Sequence, residues 1–296
     1  MTTNDLGGTF QLGDRLVHRI GFGAMQLPGP GVFGPPKDHD AAIAVLRRAV
    51  ELGVNHIDTA QYYGPDVSNQ LIREALYPYP DDLSLVSKVG ADRDAKGAWT
   101  PAQTPAELRA GVEANLAALG IEQLAAVNLR RLDADGHDGF EAPPLEDQLA
   151  EMAALRDEGK IGGVGVSTVS LAEVKTAMAL PGIICVQNAY SLVDRSDEEV
   201  VQLCARHGVA YVPYFPLGSA FPGMKKVVDL PAARSVAERL GVTPAQVGLA
   251  WLLAHSPNIL LIPGTSSVDH LEQNLAIGAI ELTPEDIAEL EADPTA

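Results

Sequence analysis

Short runs rich in Val, Ile and Leu recur along the chain, bounded by Gly, Asn and similar breakers. Eight can be counted: RIGFGAM from Arg19, VNHIDTA from Val54, LSLVSKVG from Leu83, LAAVNLRR from Leu124, GGVGVST from Gly162, IICVQNAY from Ile183, VAYVPYFPL from Val209 and ILLIPGT from Ile259. Runs this short and this apolar suit strands buried on both faces, as in a parallel sheet. Helical periodicity lies between them. Residues 39–53 place Ile43, Leu46, Ala49, Val50 and Leu52 largely on one face and stop at Gly53. From Thr104 the chain shows a capping residue, Pro105 in the first turn, and a stripe of Leu108, Val112, Leu116 and Leu119. Further helices are predicted over 144–158, 170–178, 197–206, 232–240, 243–254 and 268–275, with a tail helix from the capping sequence TPED at Thr283. Upstream, FQLGDRLVHRI reads as two short strands turning at Gly13–Asp14, a hairpin placed to plug one end of the fold.

Eight strands alternating with helices predict an α/β chain folded as a (β/α)8 barrel with an N-terminal β-hairpin. A doubly wound sheet would show a third glycine after the first strand, and GFGAMQL lacks it. No linker or composition break divides the chain, so residues 1–296 read as one barrel domain. The composition agrees: 46% apolar residues leave ample material for a large core. The net charge of −18 changes the picture more. It leaves no electrostatic footprint for nucleic acid or an anionic membrane, and it suits a dispersed cytoplasmic protein. No apolar run approaches the roughly 18 residues of a membrane span, and MTTNDLGG has no signal-peptide pattern. Cys185 and Cys204 read as buried thiols rather than a disulfide framework. The seven histidines form no H-x-H or H-x-x-x-H pair, so a metal centre is not expected.

Barrel enzymes carry their chemistry at the C-terminal ends of strands. Those positions are Asp58, Lys88, Asn128, Arg130, Arg131, Ser167, Gln187, Asn188, Tyr214 and Thr265. A buried Asp needs a cationic partner, and Lys88 on the next strand is available. Tyr63 stands five residues beyond Asp58, over the same mouth. A neighbouring ammonium favours the phenolate and is expected to lower the Tyr63 pKa. That would make it a better general acid, which carbonyl reduction requires at the oxygen.

The segments HIDTAQYYG, LVSKVG, GKIGGVGVST, VQNAYS, VPYFPLGS and IPGTSSVDHLEQN, in this order from about Phe10 onward, resemble the aldo-keto reductase superfamily. The resemblance implies the same barrel and hydride transfer between a nicotinamide and an aldehyde or ketone. It assigns Asp58, Tyr63 and Lys88 to a catalytic tetrad, Tyr63 fitting the family spacing better than Tyr62. The fourth member departs: NLRRLD puts Arg130 where the family has His. Arg130 either orients and polarises the substrate oxygen, or it or Arg131 pairs with Asp133 or Glu141 at the rim.

For the cofactor, the resemblance implies NADPH, with NADH possible. Ser167 and Gln187 match the carboxamide ligands, with Thr168 at the family's Asn position. Tyr214, followed by Pro216 and Leu217 in YFPLG, matches the residue that stacks on the nicotinamide. At the phosphate end Gly264 replaces Lys, His270 replaces Arg, Gln273 replaces Glu, and Asn274 remains. Gly264, Thr265 and Ser266 then form a turn entering a helix, which is expected to serve as a phosphate nest. Lys225 and Lys226 are either a phosphate clamp or a solvated loop pair. Met25, Phe33, Tyr62, Trp99 and Leu132 are expected as pocket walls, Tyr62 equally as a packing residue. Arg130 and Arg131 hint at a polar or anionic small carbonyl substrate, and pyridoxal-like aldehydes suit related branches of the family. A monomer or small homo-oligomer is expected. The alternative function is a nucleotide-binding sensor barrel with little turnover.

Overall fold

A computed structural model describes residues 6–132, 140–180, 182–218 and 225–292. The predicted hairpin is present as β1 (Thr9–Leu12) and β2 (Arg15–His18), antiparallel, with Leu12 opposite Arg15. The chain then alternates. β3 (Phe22–Gly23) leads to α1 (His39–Glu51), and β4 (His56–Asp58) to α2 (Val67–Leu76). β5 (Ser84–Val89) is followed by an antiparallel pair, β6 (Ala91–Arg93) and β7 (Trp99–Pro101), and then by α3 (Pro105–Leu119). β8 (Ala126–Arg130) precedes α4 (Leu145–Asp157), β9 (Val164–Ser167) precedes α5 (Leu171–Met178), and β10 (Ile183–Gln187) precedes α6 (Glu198–His207). β11 (Ala210–Tyr211) leads to α7 (Pro231–Leu240) and α8 (Pro244–His255), and α9 (Val268–Leu275) and α10 (Pro284–Ala292) follow.

Seven strands form one parallel sheet in the order β11-β10-β9-β8-β5-β4-β3. The eighth apolar run closes it. Ile259 pairs with Tyr211 on one side, and Leu261 pairs with Ile20 on the other. Tyr211 N–H donates to Asn258 O at 2.9 Å and Leu261 N–H to Arg19 O at 2.7 Å, so the sheet is a closed (β/α)8 barrel. This run makes bridges rather than a ladder. Pro213 and Pro263, which have no N–H to donate, cut short the pairing at this seam.

Within the barrel, side chains two residues apart share a face. The lower layer is apolar: Leu12 and Val17 of the hairpin pack with Val86, Ala126, Cys185, Ala210, Val212 and Leu260. The hairpin therefore plugs the bottom, as expected. Two residues further along β5, β8 and β10 stand Lys88, Asn128 and Gln187, so the same inward rows turn polar at the top. Both cysteines are buried thiols. Among the described residues no helix is long and apolar enough to cross a membrane.

Two elements depart from the sequence reading. Helix α2 was not anticipated, because its entry residue Asp66 has φ +57 and makes no capping bond. Its buried Leu71, Ile72 and Leu76 carry the helical spacing that marks it. The stretch after β5 forms a hairpin that the sequence pattern does not mark. Its turn is built by Asp94, whose Oδ1 accepts from Lys96 and Ala98 N–H, both at 2.8 Å, and by Gly97 at φ +83.

Candidate active site

The parallel register brings the strand ends to one rim. Asp58 ends β4, Arg130 lies opposite Ser167, and Ser167 lies opposite Gln187. At the centre is a buried ion pair: Lys88 Nζ donates to Asp58 Oδ1 and, at 3.1 Å, to the carbonyl of Thr59. Gln187 Nε2 donates to Asp58 Oδ2 at 3.1 Å, so both carboxylate oxygens are engaged. Lys88 Nζ also lies 5.0 Å from the centroid of the Tyr63 ring. Asp58, Lys88 and Tyr63 are each no more than 5% exposed. The structure thus brings together three of the four predicted catalytic residues around one point.

The Tyr63 pKa goes against expectation. Burial, and then the negative charge of Asp58, push the phenol above its ordinary range, while Arg130 and Arg93 pull it down less strongly. The reason is geometric: the Lys88 ammonium is committed to Asp58 and Thr59 and faces the Tyr63 ring. Tyr63 therefore stands protonated at neutral pH, which is the form a proton donor needs.

The loop from Asp58 to Tyr63 is fixed from behind by a buried amide network that the sequence reading missed. Asn115 of α3 accepts from Ser87 Oγ at 2.6 Å and Asn69 Nδ2 at 2.8 Å, and donates to Gln61 Oε1 at 3.1 Å and Gly111 O at 2.8 Å. Gln61 in turn donates to Ala91 O at 3.2 Å, tying this loop to β6. Nothing in local sequence marks an Asn inside an apolar stripe as such a hub.

Below Asp58 on the same face sits His56, 1% exposed, with Nδ1 lacking a partner. Burial lowers its pKa to about 4; Asp58 opposes this and Lys88 adds to it. The unfolded chain then binds more protons than the folded one between about 6.5 and 4, so stability falls as pH falls through that window. His56 alone is expected to remove about 3 kcal/mol between pH 7 and pH 4. Denaturant unfolding at the two pH values, with His56→Gln as control, checks this.

Met25, Tyr62, Trp99 and Leu132 gather with Tyr63, Ala60, Ala91 and Val32 in an apolar cluster over the mouth. Trp99 meets the Tyr62 ring edge-on at 5.2 Å, and Tyr62 meets Tyr63 at 5.4 Å. Tyr62 is fully buried, and burial pushes its phenol up to about 12 against the opposing pull of the nearby Arg130 guanidinium. Phe33 is half-buried beside this cluster, against Gly97.

Arg130 and Arg131 part company. Arg131 turns to Glu173 at 3.1 Å and Gln148 Oε1 at 3.1 Å, so it is not gathered with the tetrad. Arg130 places its guanidinium 4.9 Å from the Trp99 ring centroid. Burial works against its charge, but the phenols of Tyr62, Tyr63 and Tyr214 hold its pKa above the ordinary value. Of the two rim partners considered from sequence, Asp133 lies outside the described residues, and Glu141 pairs with neither arginine. Arg93, also missed, lies 3.6 Å from the Trp99 centroid and donates to the carbonyls of Gly31, Val32 and Gly97.

The position of Arg130 depends on Gly90. That glycine has φ +105, and a Cβ there would stand 2.1 Å from the Arg130 carbonyl oxygen. Gly90→Ala is expected to cost more than about 1 kcal/mol and to displace Arg130, lowering activity with it. Thermal unfolding and kcat measured together check both effects.

Residues able to hold a nicotinamide lie at the next strand ends of the same rim. Ser167 and Gln187 are buried at adjacent strand ends, and Gln187 Oε1 is a buried acceptor with no partner in the protein, which fits a carboxamide N–H. Thr168 follows in the left-handed region at φ +57. Tyr214 is half-buried after β11, before Pro216 and Leu217. Lys225 and Lys226 are exposed, Lys226 bridging to Gly218. At the phosphate turn a Cβ on Gly264 would stand 2.6 Å from Gly23 O, which explains why no long side chain occupies that position. Thr265 Oγ1 accepts from Ser267 N–H at 3.1 Å and Ser267 caps α9, while Ser266, His270 and Gln273 are exposed and Asn274 is half-buried.

Comparison with known proteins decides the family. The family model described as "Aldo/keto reductase family" matches residues 19–292. The chain belongs to the aldo/keto reductase family. This aldo/keto reductase is therefore an NAD(P)H-dependent oxidoreductase. It is 49% identical over 283 residues to pyridoxine 4-dehydrogenase of Escherichia coli (strain K12), covering 96% of this chain and 97% of that one. Among solved structures it is similar to a thermostable aldo-keto reductase in complex with the inhibitor epalrestat, at 27% identity and TM-score 0.80, covering 96% and 98% of the two chains. It is likewise similar to an aldo/keto reductase from Klebsiella pneumoniae in complex with NADP and acetate, at 26% identity and TM-score 0.76, covering 96% and 94%. Among the described residues no group of three or more metal-ligating side chains is found.

Proposed function

We propose that this aldo/keto reductase uses NADPH to reduce an aldehyde of the pyridoxal type to its alcohol, with Tyr63 as proton donor and Arg130 beside the substrate oxygen. The observation that carries the reading is the 49% identity, over nearly the whole of both chains, to a pyridoxine 4-dehydrogenase. The NADP held by the Klebsiella relative supports the choice of cofactor.

A bound NADPH supplies hydride to the carbonyl carbon. The chain's own residues do the rest. Ser167 and Gln187 would hold the cofactor's carboxamide together with Thr168, and Tyr214, Pro216 and Leu217 would receive the nicotinamide ring. The turn at Gly264, Thr265 and Ser266, with the start of α9, receives phosphate through N–H and hydroxyl groups. His270, Gln273 and Asn274 border that end of the site. Tyr63 Oη gives its proton to the carbonyl oxygen as the carbon accepts hydride. Asp58 and Lys88 fix the ring of Tyr63 and exclude water beneath it. Met25, Tyr62 and Trp99 wall the substrate. Arg130, always charged, stabilises the negative charge that develops on the oxygen during the transfer.

The test compares kcat/KM for pyridoxal and a panel of simple aldehydes with NADPH and with NADH. The reading expects pyridoxal to be among the best substrates and NADPH the better cofactor. Turnover of simple aldehydes with none of pyridoxal would overturn the substrate, and equal or better use of NADH would overturn the cofactor.

A further inference from the structure

We infer that Arg130 selects aldehydes that carry an ionisable oxygen next to the carbonyl, its guanidinium spanning both oxygens at once. This rests on the reading that the site reduces aldehydes with Tyr63 as donor.

The argument begins with what Arg130 does not do. No carboxylate pairs with it among the described residues, although its neighbour Arg131 takes Glu173. The nearest buried acid, Asp58, is already engaged by Lys88 and Gln187. The neutral phenols of Tyr62, Tyr63 and Tyr214 face the guanidinium, Tyr62 closely enough to act on it as a hydrogen-bonding neighbour, and none of them brings a full negative charge at neutral pH. Arg93 adds a second positive charge on the same Trp99 ring, and its guanidinium donates to backbone carbonyls, which leave the charge uncompensated. Its Nε is buried with no partner. The apolar mouth thus holds two guanidinium groups without a paired acid among the described residues. Such a site favours a ligand that brings its own negative charge.

The geometry of the donor narrows the class. A guanidinium presents two parallel N–H groups, which match two oxygens side by side. The imidazole that the resemblance places at this position would offer one N–H. A lone carbonyl uses only one arm of the fork. An aryl aldehyde with an ortho hydroxyl, or its phenolate, uses both, and pyridoxal has this arrangement. During reduction the carbon gains hydride, the carbonyl oxygen gains the Tyr63 proton, NADPH becomes NADP⁺, and the neighbouring oxygen keeps its charge against Arg130. The second oxygen thus improves binding and orientation without taking part in the redox step.

Salicylaldehyde, 4-hydroxybenzaldehyde and 2-methoxybenzaldehyde separate the effects of position and ionisation. For the wild-type enzyme with NADPH, kcat/KM for salicylaldehyde should exceed that of either competitor by at least about tenfold, the worth of one charge-assisted hydrogen bond. In Arg130→His that ratio should fall towards one, and Arg130→Lys should recover only part of it. Comparing ratios across proteins cancels the intrinsic reactivity of each aldehyde. A reading without turnover comes from NADP⁺-loaded protein: below the free aldehyde's own pKa, bound salicylaldehyde should absorb as phenolate on wild type and not on Arg130→His. Aldehyde reduction with the same ratio in wild type and Arg130→His overturns this inference and leaves the reductase reading standing. Absence of turnover with every aldehyde, pyridoxal included, overturns both.

Discussion

A Tyr63→Phe variant is expected to lose about 10²–10⁴-fold in kcat for aldehyde reduction while keeping its unfolding temperature. The fold does not need the hydroxyl. The ring is 4% exposed and packs edge-on against Tyr62 at 5.4 Å, with Lys88 5.0 Å away, and Phe fills the same space. The chemistry does need it, because hydride leaves charge on the carbonyl oxygen that only a nearby acid removes. The raised pKa gives this expectation a pH signature. Burial and the Asp58 charge keep the phenol protonated beyond the ordinary tyrosine range. Reduction should therefore not fall between neutral pH and the ordinary phenol range near 10, while oxidation of the alcohol, which needs the phenolate, should keep rising as pH increases. Steady-state rates in both directions, with thermal unfolding of the variant, read out every part. A variant that still reduces aldehydes at the wild-type rate removes Tyr63 from the mechanism.

Lys88→Met should be the most destabilising single change at the site. It leaves the Asp58 carboxylate buried at 3% exposure with only Gln187 to satisfy it. Breaking a buried pair from one side costs about 3–5 kcal/mol, or on the order of 10 °C in Tm. The double variant Lys88→Met with Asp58→Asn should recover much of that stability, because no unpaired charge remains. It should not recover activity, since the anchor beneath Tyr63 is gone. Calorimetry of the single and double variants beside kcat separates the two roles. A single variant as stable as wild type would mean that the pair contributes nothing to the fold.

The barrel could be read from the sequence because its strands are continuous apolar runs with Gly and Pro at their ends, and these periods follow from burial alone. The hairpin plug could be read from its turn. What escaped depends on contacts between distant segments. Helix α2 begins on a left-handed Asp66 without a cap. The hairpin of β6 and β7 is held by the Asp94 side chain and by Arg93 reaching across to Gly31 and Val32. The strand-end positions of Asp58, Lys88 and Gln187 followed from the barrel rule, and the register does bring them together. The direction of the Tyr63 pKa did not follow. Proximity of Lys88 was legible, but that its ammonium is committed to Asp58 and Thr59 is a fact of three-dimensional geometry. Arg131 shows the same limit, since its partner Glu173 is 42 residues away in sequence. The net charge of −18 also takes on meaning beside the site: the positive groups Lys88, Arg93 and Arg130 are concentrated at one mouth of an otherwise acidic chain.

The most direct test is to mix pyridoxal, NADPH and the enzyme, and to follow loss of NADPH against formation of the alcohol, for wild type and Tyr63→Phe side by side. The account predicts one alcohol formed per NADPH consumed by wild type and almost none by the variant. NADPH consumption without alcohol, or equal rates from the two proteins, would contradict it.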